Sequence, residues 1–203
     1  MPVRPAQPLK QPVQARSRHT VEVILQAAIQ VFEARGYAAG TTARIAERAG
    51  VSVGTLYQYF PNKDAVVAAL AERHVAEVRA LAESGAPAAA MPLPELIGHW
   101  VDAFLALHEA NPVLHRLMSG GEFLLEASRE QLERIRVDGA ARLAALLAMR
   151  QDVRAGDPAL MAYFVLQSLE HFSHTLVLYP PADVRRPQAV QELKTLLLRY
   201  LQK

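Results

Sequence analysis

Val53, Gly54, Thr55, Tyr57 and Gln58 form a short run of side chains that are small or hydrogen-bonding and carry no charge. Groups of this kind can come close to base edges and phosphates. Two other constellations invite a chemical reading. His171 and His174 stand at i, i+3 after Glu170, a spacing that can hold a metal. No third ligand sits at motif spacing, so surface or core histidines are the expected reading and no metal site is assigned. Ser119-Gly120-Gly121 near His115 resembles a nucleophile beside a base. Neither an elbow motif nor a Gly-rich phosphate loop accompanies it, and no enzyme is expected. The chain has no cysteine, which excludes disulfides, thiolate metal sites and a Cys nucleophile.

The elements that must position these residues are helices. Ala, Leu, Glu, Arg and Val dominate, and 51% of the 203 residues are hydrophobic, enough for a core. Val21, Ile24, Leu25, Ala28 and Phe32 make one stripe, which predicts a helix over 17–35 that ends at Gly36. Thr41 is a predicted cap for a short helix over 41–49. Gly50 allows a tight turn, Ser52 caps a third helix over 53–59, and Pro61 stops it. Asn62 caps a long fourth helix over 63–82. Further helices are predicted over 96–110, 113–118, 122–150, 158–178 and 187–201, with breaks at Asn111-Pro112 and Pro180-Pro181. Two short helices joined by a Gly-containing turn have the geometry of a helix-turn-helix, in which the first helix braces the second in the major groove. A helical hairpin with no role on DNA has the same spacing, so the pattern alone leaves both open.

Charge is uneven. Residues 1–64 hold 8 Lys and Arg against 4 Asp and Glu, and the remainder holds 14 against 16. A basic head on a mildly acidic body suggests a polyanion partner for the head. Residues 1–15 carry four prolines and no apolar period, and read as a disordered arm rather than a secretory signal. With no apolar run of ~18 residues, no membrane span is expected, and the cytoplasm is the expected compartment.

The stretch AAIQVFEARGYAAGTTARIAERAGVSVGTLYQYFPNKDAVVAAL (27–70) resembles the DNA-binding domain of the TetR family of bacterial regulators. Ala28, Phe32, Gly36, Tyr37, Thr41, Ile45-Ala46, Ala49-Gly50-Val51-Ser52, Gly54-Thr55-Leu56-Tyr57, Tyr59-Phe60 and Lys63 fall at the family's spacing. The resemblance implies a phosphate or base contact for Thr42 and a base-reading edge at Val53, Gly54 and Thr55. It implies phosphate or sugar contacts for Tyr57 and Tyr59, and a phosphate partner for Lys63 at a helix N-terminus. Packing is the competing reading for both tyrosines. Ala43 departs from members that place a basic base-reading residue there, and Arg44 beside it is the candidate for a phosphate contact instead. With Thr41, Ser52 and Gln58 these residues make up the candidate DNA-binding set.

The resemblance further implies that helices four to seven enclose a small-molecule pocket and that the last two helices dimerise. Leu193, Leu196, Leu197, Tyr200 and Leu201 form a broad apolar stripe that suits a four-helix interface, or the subunit's own core. Trp100, Phe104, His108, Phe123, Tyr163 and Gln167 are the candidate ligand-binding residues. The expected fold is all-α: an arm over 1–15, a three-helix helix-turn-helix domain over 16–63, and a helical ligand-binding and dimerisation domain over 64–203. The expected protein is a homodimeric repressor without cofactor, released from a palindromic DNA operator by a small, mainly apolar effector. The alternative is a metal-responsive DNA-binding regulator using His171 and His174.

Overall fold

The structure is a computed structural model that describes residues 15–83, 90–119 and 126–203. The arm expected over 1–15 lies outside these residues except for its last position. Phe123 and the start of the helix expected from Glu122 also lie outside them. The fold is all-α. Among the described residues the elements are α1 (Ala15–Ala39), α2 (Thr42–Ala49), α3 (Val53–Tyr59), α4 (Lys63–Glu83), α5 (Leu93–Ala110), α6 (Pro112–Ser119), α7 (Glu126–Met149), α8 (Pro158–Leu178) and α9 (Arg186–Leu201). Extended pairing among them is limited to one antiparallel bridge between Val153 and Gln202.

Local chemistry sets these bounds. α1 bends at Gly36 (φ 71°, ψ 167°) and resumes for a turn, so it runs past the predicted end. Thr41 accepts from the Arg44 amide at the start of α2, and Ser52 does the same from Thr55 at the start of α3. Each cap satisfies a first-turn N–H that has no partner within its helix. Gly50 ends α2 in the left-handed region (φ 66°, ψ 28°), which a residue with a Cβ enters only at a cost. Asp157 caps α8 through the amides of Ala159 and Leu160. α5 begins at Leu93, earlier than the apolar period predicts. Pro94 lies in its first turn, where a missing N–H loses no bond.

The chain packs as two compact units. The first holds α1 to α3, α4 as far as Ala76, and 113–130. Ile24, Ala28 and Phe32 of α1 meet Ile45 and Ala46 of α2, Leu56 and Phe60 at α3, Val66 and Leu70 of α4, and Leu114 of α6. α6 therefore shares the core of the N-terminal helices. The rings of His74 on α4 and His115 on α6, both buried, meet edge-on at 4.4 Å. The second unit holds 77–112 and 131–203. Its core joins Ile97, Val101 and Leu105 of α5, Leu147 of α7, Val165 and Leu169 of α8, and Leu193, Leu197 and Leu201 of α9. The apolar stripe of α9 thus divides: Leu197 is 1% exposed inside its own unit, whereas Leu196 is 51% exposed.

Gly40 packs tightly against Phe32 in the first unit. A Cβ there would lie 2.6 Å from Cδ1 and 2.7 Å from Cε1 of the Phe32 ring, which is itself buried. Gly40→Ala is expected to lower stability by about 1–3 kcal/mol, as overpacking does, read as an earlier urea midpoint. An unchanged midpoint would mean that the ring moves aside without strain.

Candidate nucleic-acid interface

α3 has only seven residues, and it buries Leu56 fully inward while Phe60 closes its end at 1% exposure. What remains faces outward. Val53 is 40% and Tyr57 45% exposed; Gly54 and Gln58 are exposed, and Thr55 is half-buried. The Ser52 hydroxyl accepts from the Thr55 amide at 2.9 Å and lies 2.8 Å from the Thr55 hydroxyl. Thr42 on α2 and Tyr57 on α3 share a hydrogen bond of 3.1 Å between their hydroxyls. That bond fixes the phenol beside the first turn of α2, so the two helices present one continuous polar edge. A Cβ at Gly54 would meet only the Ser52 hydroxyl, at 3.7 Å. The chain's own packing does not require glycine at that position.

The other members of the set divide by what they already do. Thr41 and Ser52 use their hydroxyls as caps. Arg44 donates to the Ala39 carbonyl, and Arg48 donates to Gln30 at 2.6 Å, so both hold the α1–α2 corner. Tyr59 is half-buried and packs against the first core. Lys63 is half-buried: its ammonium donates to the Tyr37 carbonyl at 2.9 Å and sits 3.9 Å from the centroid of the Tyr37 ring. The Tyr37 hydroxyl in turn donates to the Asp64 carboxylate. Asn62 caps α4 by accepting from the Ala65 amide at 2.9 Å. Sequence reasoning places Lys63 here but misses its tie to Tyr37 and the bond from Tyr37 to Asp64. Their separation of 26 and 27 residues carries no periodic signal.

Five of the six candidate ligand residues fall among the described ones, and they differ in burial. Trp100 and Phe104 are half-buried against the second core, and His108 is fully buried. Tyr163, 55% exposed, and Gln167 lie on the outer side of α8, so the expectation that they line an interior is corrected. Phe123 lies outside the described residues. His108 instead meets a different pair. Its Nδ1 lies 2.8 Å from the Phe104 carbonyl, which can only accept, so Nδ1 carries a hydrogen. Nε2 then lies 3.6 Å from a Glu170 carboxylate oxygen, and the ring meets His174 edge-on at 5.7 Å. Burial disfavours the imidazolium of His108, but the Glu170 carboxylate and the Phe104 carbonyl outweigh it and raise its pKa above 6.5. His174 is shifted down, by burial and then by the neighbouring His108. His171 is exposed. Among the described residues no three His, Asp or Glu are grouped to hold a metal.

A short, capped helix with an uncharged outer face, braced by a second short helix, has the geometry of a helix-turn-helix. Comparison with known proteins carries this to a family. Residues 24–70 match the family model described as bacterial regulatory proteins, tetR family, and residues 92–201 match the tetracyclin repressor-like C-terminal domain. The chain belongs to the TetR family of bacterial transcriptional regulators. It is 31% identical over 105 residues to the HTH-type transcriptional repressor KstR of Mycobacterium tuberculosis, covering 52% of this chain and 47% of that one. It is 46% identical over 57 residues to the HTH-type transcriptional regulator YvkB of Bacillus subtilis, covering 28% and 30%. The chain spans about half or less of the length of the curated relatives it matches. Among solved structures, PfmR of Thermus thermophilus aligns with a TM-score of 0.65 at 23% identity over 89% of this chain and 99% of that one. The fatty acid degradation regulator FadR of Bacillus halodurans aligns at 0.57 and 22%, over 93% and 96%. At these identities the likeness shows the fold.

Lys63→Ala is expected to weaken DNA binding alike for all sequences and to shallow the dependence on salt by about one unit of log–log slope. An unchanged affinity and slope would reduce Lys63 to a tie on Tyr37. The buried histidine makes a second outcome measurable, in pH. Because the folded pKa of His108 is raised, its contribution to stability is complete below 6.5, the ordinary value, and is lost as pH rises through the folded value. The stability gap between the native chain and His108→Gln, measured in urea across a pH series, should therefore shrink above 6.5. A gap constant with pH would remove the proton from the account.

Proposed function

We propose that this regulator is a homodimeric repressor that binds a palindromic operator and is released by a small, mainly apolar effector. In this reading residues 16–63 read the DNA, and 64–203 bind the effector and the second copy. One observation carries the DNA half: the outward, uncharged face of α3, fixed to α2 through Thr42 and Tyr57. Val53, Gly54, Thr55 and Gln58 are the base-facing candidates, and Thr42, Arg44, Tyr57 and Lys63 the phosphate-facing ones. The repressor role is supported by the function printed in the name of the Mycobacterium tuberculosis relative.

The dimer is supported by what α8 and α9 leave uncovered. Leu160, Tyr163, Phe164 and Phe172 on α8 and Leu196 on α9 are all more than 40% exposed. Phe164 links the two helices by its ring contact with Tyr200 at 6.1 Å. Isolated apolar residues on a surface are ordinary, but a run of large ones along two packed helices suits a two-fold interface. Tyr163 belongs to this face in our reading. The effector is supported by half-buried Trp100 and Phe104 on α5 beside buried His108, an apolar wall with one polar group. Effector and operator must oppose each other by the same factor in both directions. Release follows if the effector shifts the two recognition helices off the ~34 Å spacing of adjacent major grooves.

Phe164→Glu together with Leu196→Glu is expected to give a folded monomer by sedimentation, with operator affinity lost, since each half-site then binds alone. Leu197→Glu is expected to unfold the chain, because it buries a carboxylate inside the subunit's own core. A double variant that remains dimeric and keeps its operator would move the interface elsewhere.

A further inference from the structure

The outward side of α8 carries almost no charge. In its 21 residues the helix has no Lys, Arg or Asp, and its single Glu is Glu170. Leu160, Tyr163, Phe164, Gln167 and His171 follow at steps of three or four residues, or stand next to one another, so they share one side, and all are exposed. His171 is the one member of this row whose residue type changes charge between about pH 5 and 8. Its ring meets that of exposed Phe172 edge-on at 6.0 Å. The carboxylates of the packed helices are engaged, balanced or distant. Glu170 lies 3.6 Å from buried His108 of α5. Asp102 and Glu109 of α5 pair with Lys194 and Arg186 of α9. Glu95 and His99 stand roughly 13 Å or more along α5 from His108. On α9, Leu196 has Glu192 one turn before it and Arg199 one turn after, both exposed, so that side brings one charge of each sign. His174, a turn beyond His171, is shifted down by burial and then by His108, and His171 lowers it further.

We propose that His171 makes the pairing of two copies depend on pH, the neutral ring being buried in the dimer and the charged ring opposing it. The inference rests on the reading of α8 and α9 as the dimer face. Burying an imidazolium among aromatic side chains without a partner is costly, whereas a neutral imidazole is buried at far less cost. At a two-fold contact the charge enters twice, once from each copy. The separate copies therefore bind protons that the dimer does not. Pairing is strongest above the ordinary histidine range and weakens as pH falls through it. Each half-site then binds alone, so acid releases the operator without an effector.

The test is sedimentation of the full chain over a concentration series at about pH 7.5 and about pH 5.5, the two sides of histidine's ordinary value. The dimer Kd is expected to rise about tenfold or more on the acid side. His171→Gln is expected to keep one Kd at both, and His171→Lys to pair weakly at both. Every other titrating group is still present in His171→Gln, so its difference from the native chain reads His171 alone. His174→Gln should keep the native pH dependence. The inference is overturned if the native Kd is the same at both, or if His171→Gln changes with pH as the native chain does. It is also overturned if the dependence is lost in His174→Gln instead, which would place the proton in the cluster with His108. Phe164→Glu with Leu196→Glu tells the two readings apart. A native dimer indifferent to pH beside a monomeric double variant overturns the inference alone, and a double variant that stays dimeric overturns the interface with it.

Discussion

A helix of seven residues does not stand on its own in water: the cost of nucleation is spread over too few hydrogen bonds. α3 exists because its neighbours hold it. Ser52 satisfies its first turn, Leu56 and Phe60 are buried against α1, α2 and α4, and Tyr57 is tied to Thr42. The same arrangement frees the outer side chains from structural duty. Val53, Gly54 and Gln58 have no hydrogen-bonding or packing role that would fix their identity. The outward face of α3 is therefore supported from beneath by Leu56 and Phe60, which take no part in it.

The start of α4 repeats this logic with charge. Asn62 satisfies a first-turn amide and Lys63 brings a cation to the same helix end, where the unpaired N–H groups already favour an anion. Tyr37 then holds that cation through its carbonyl and its ring, while its hydroxyl reaches Asp64. The ammonium has three donors, and the Tyr37 carbonyl takes one. The tie orders the long side chain, which would lower the entropy lost if a phosphate bound there.

At α3 and α8, where side-chain caps and proline breaks bound the helix, the reading holds to the residue, whereas α1 runs on past the stop expected at Gly36. α3 and α8 begin and end where Ser52 and Pro61, and Asp157 and Leu178, place them. α7 is less legible because it lacks a cap or a breaker inside the described residues, and its apolar positions make no single stripe. Orientation fails for a physical reason at α8. From Pro158 to Leu178 apolar residues surround the helix, so period alone cannot tell the buried Val165 and Leu169 from the exposed Tyr163 and Phe164. Leu196 and Leu197 are neighbours in sequence and lie on opposite sides of the packing.

The two outward faces differ in a way that follows from what each would have to exclude. The α3 face is small, polar and uncharged, so it can exchange water hydrogen bonds for those of a groove without stranding a charge. The α8 and α9 face is large and aromatic, and little on it loses by leaving water. A DNA duplex offers no apolar surface of that extent, whereas a second copy of the same face offers its own. Gln167 and His171 also lie on the outer side of α8, within this apolar run.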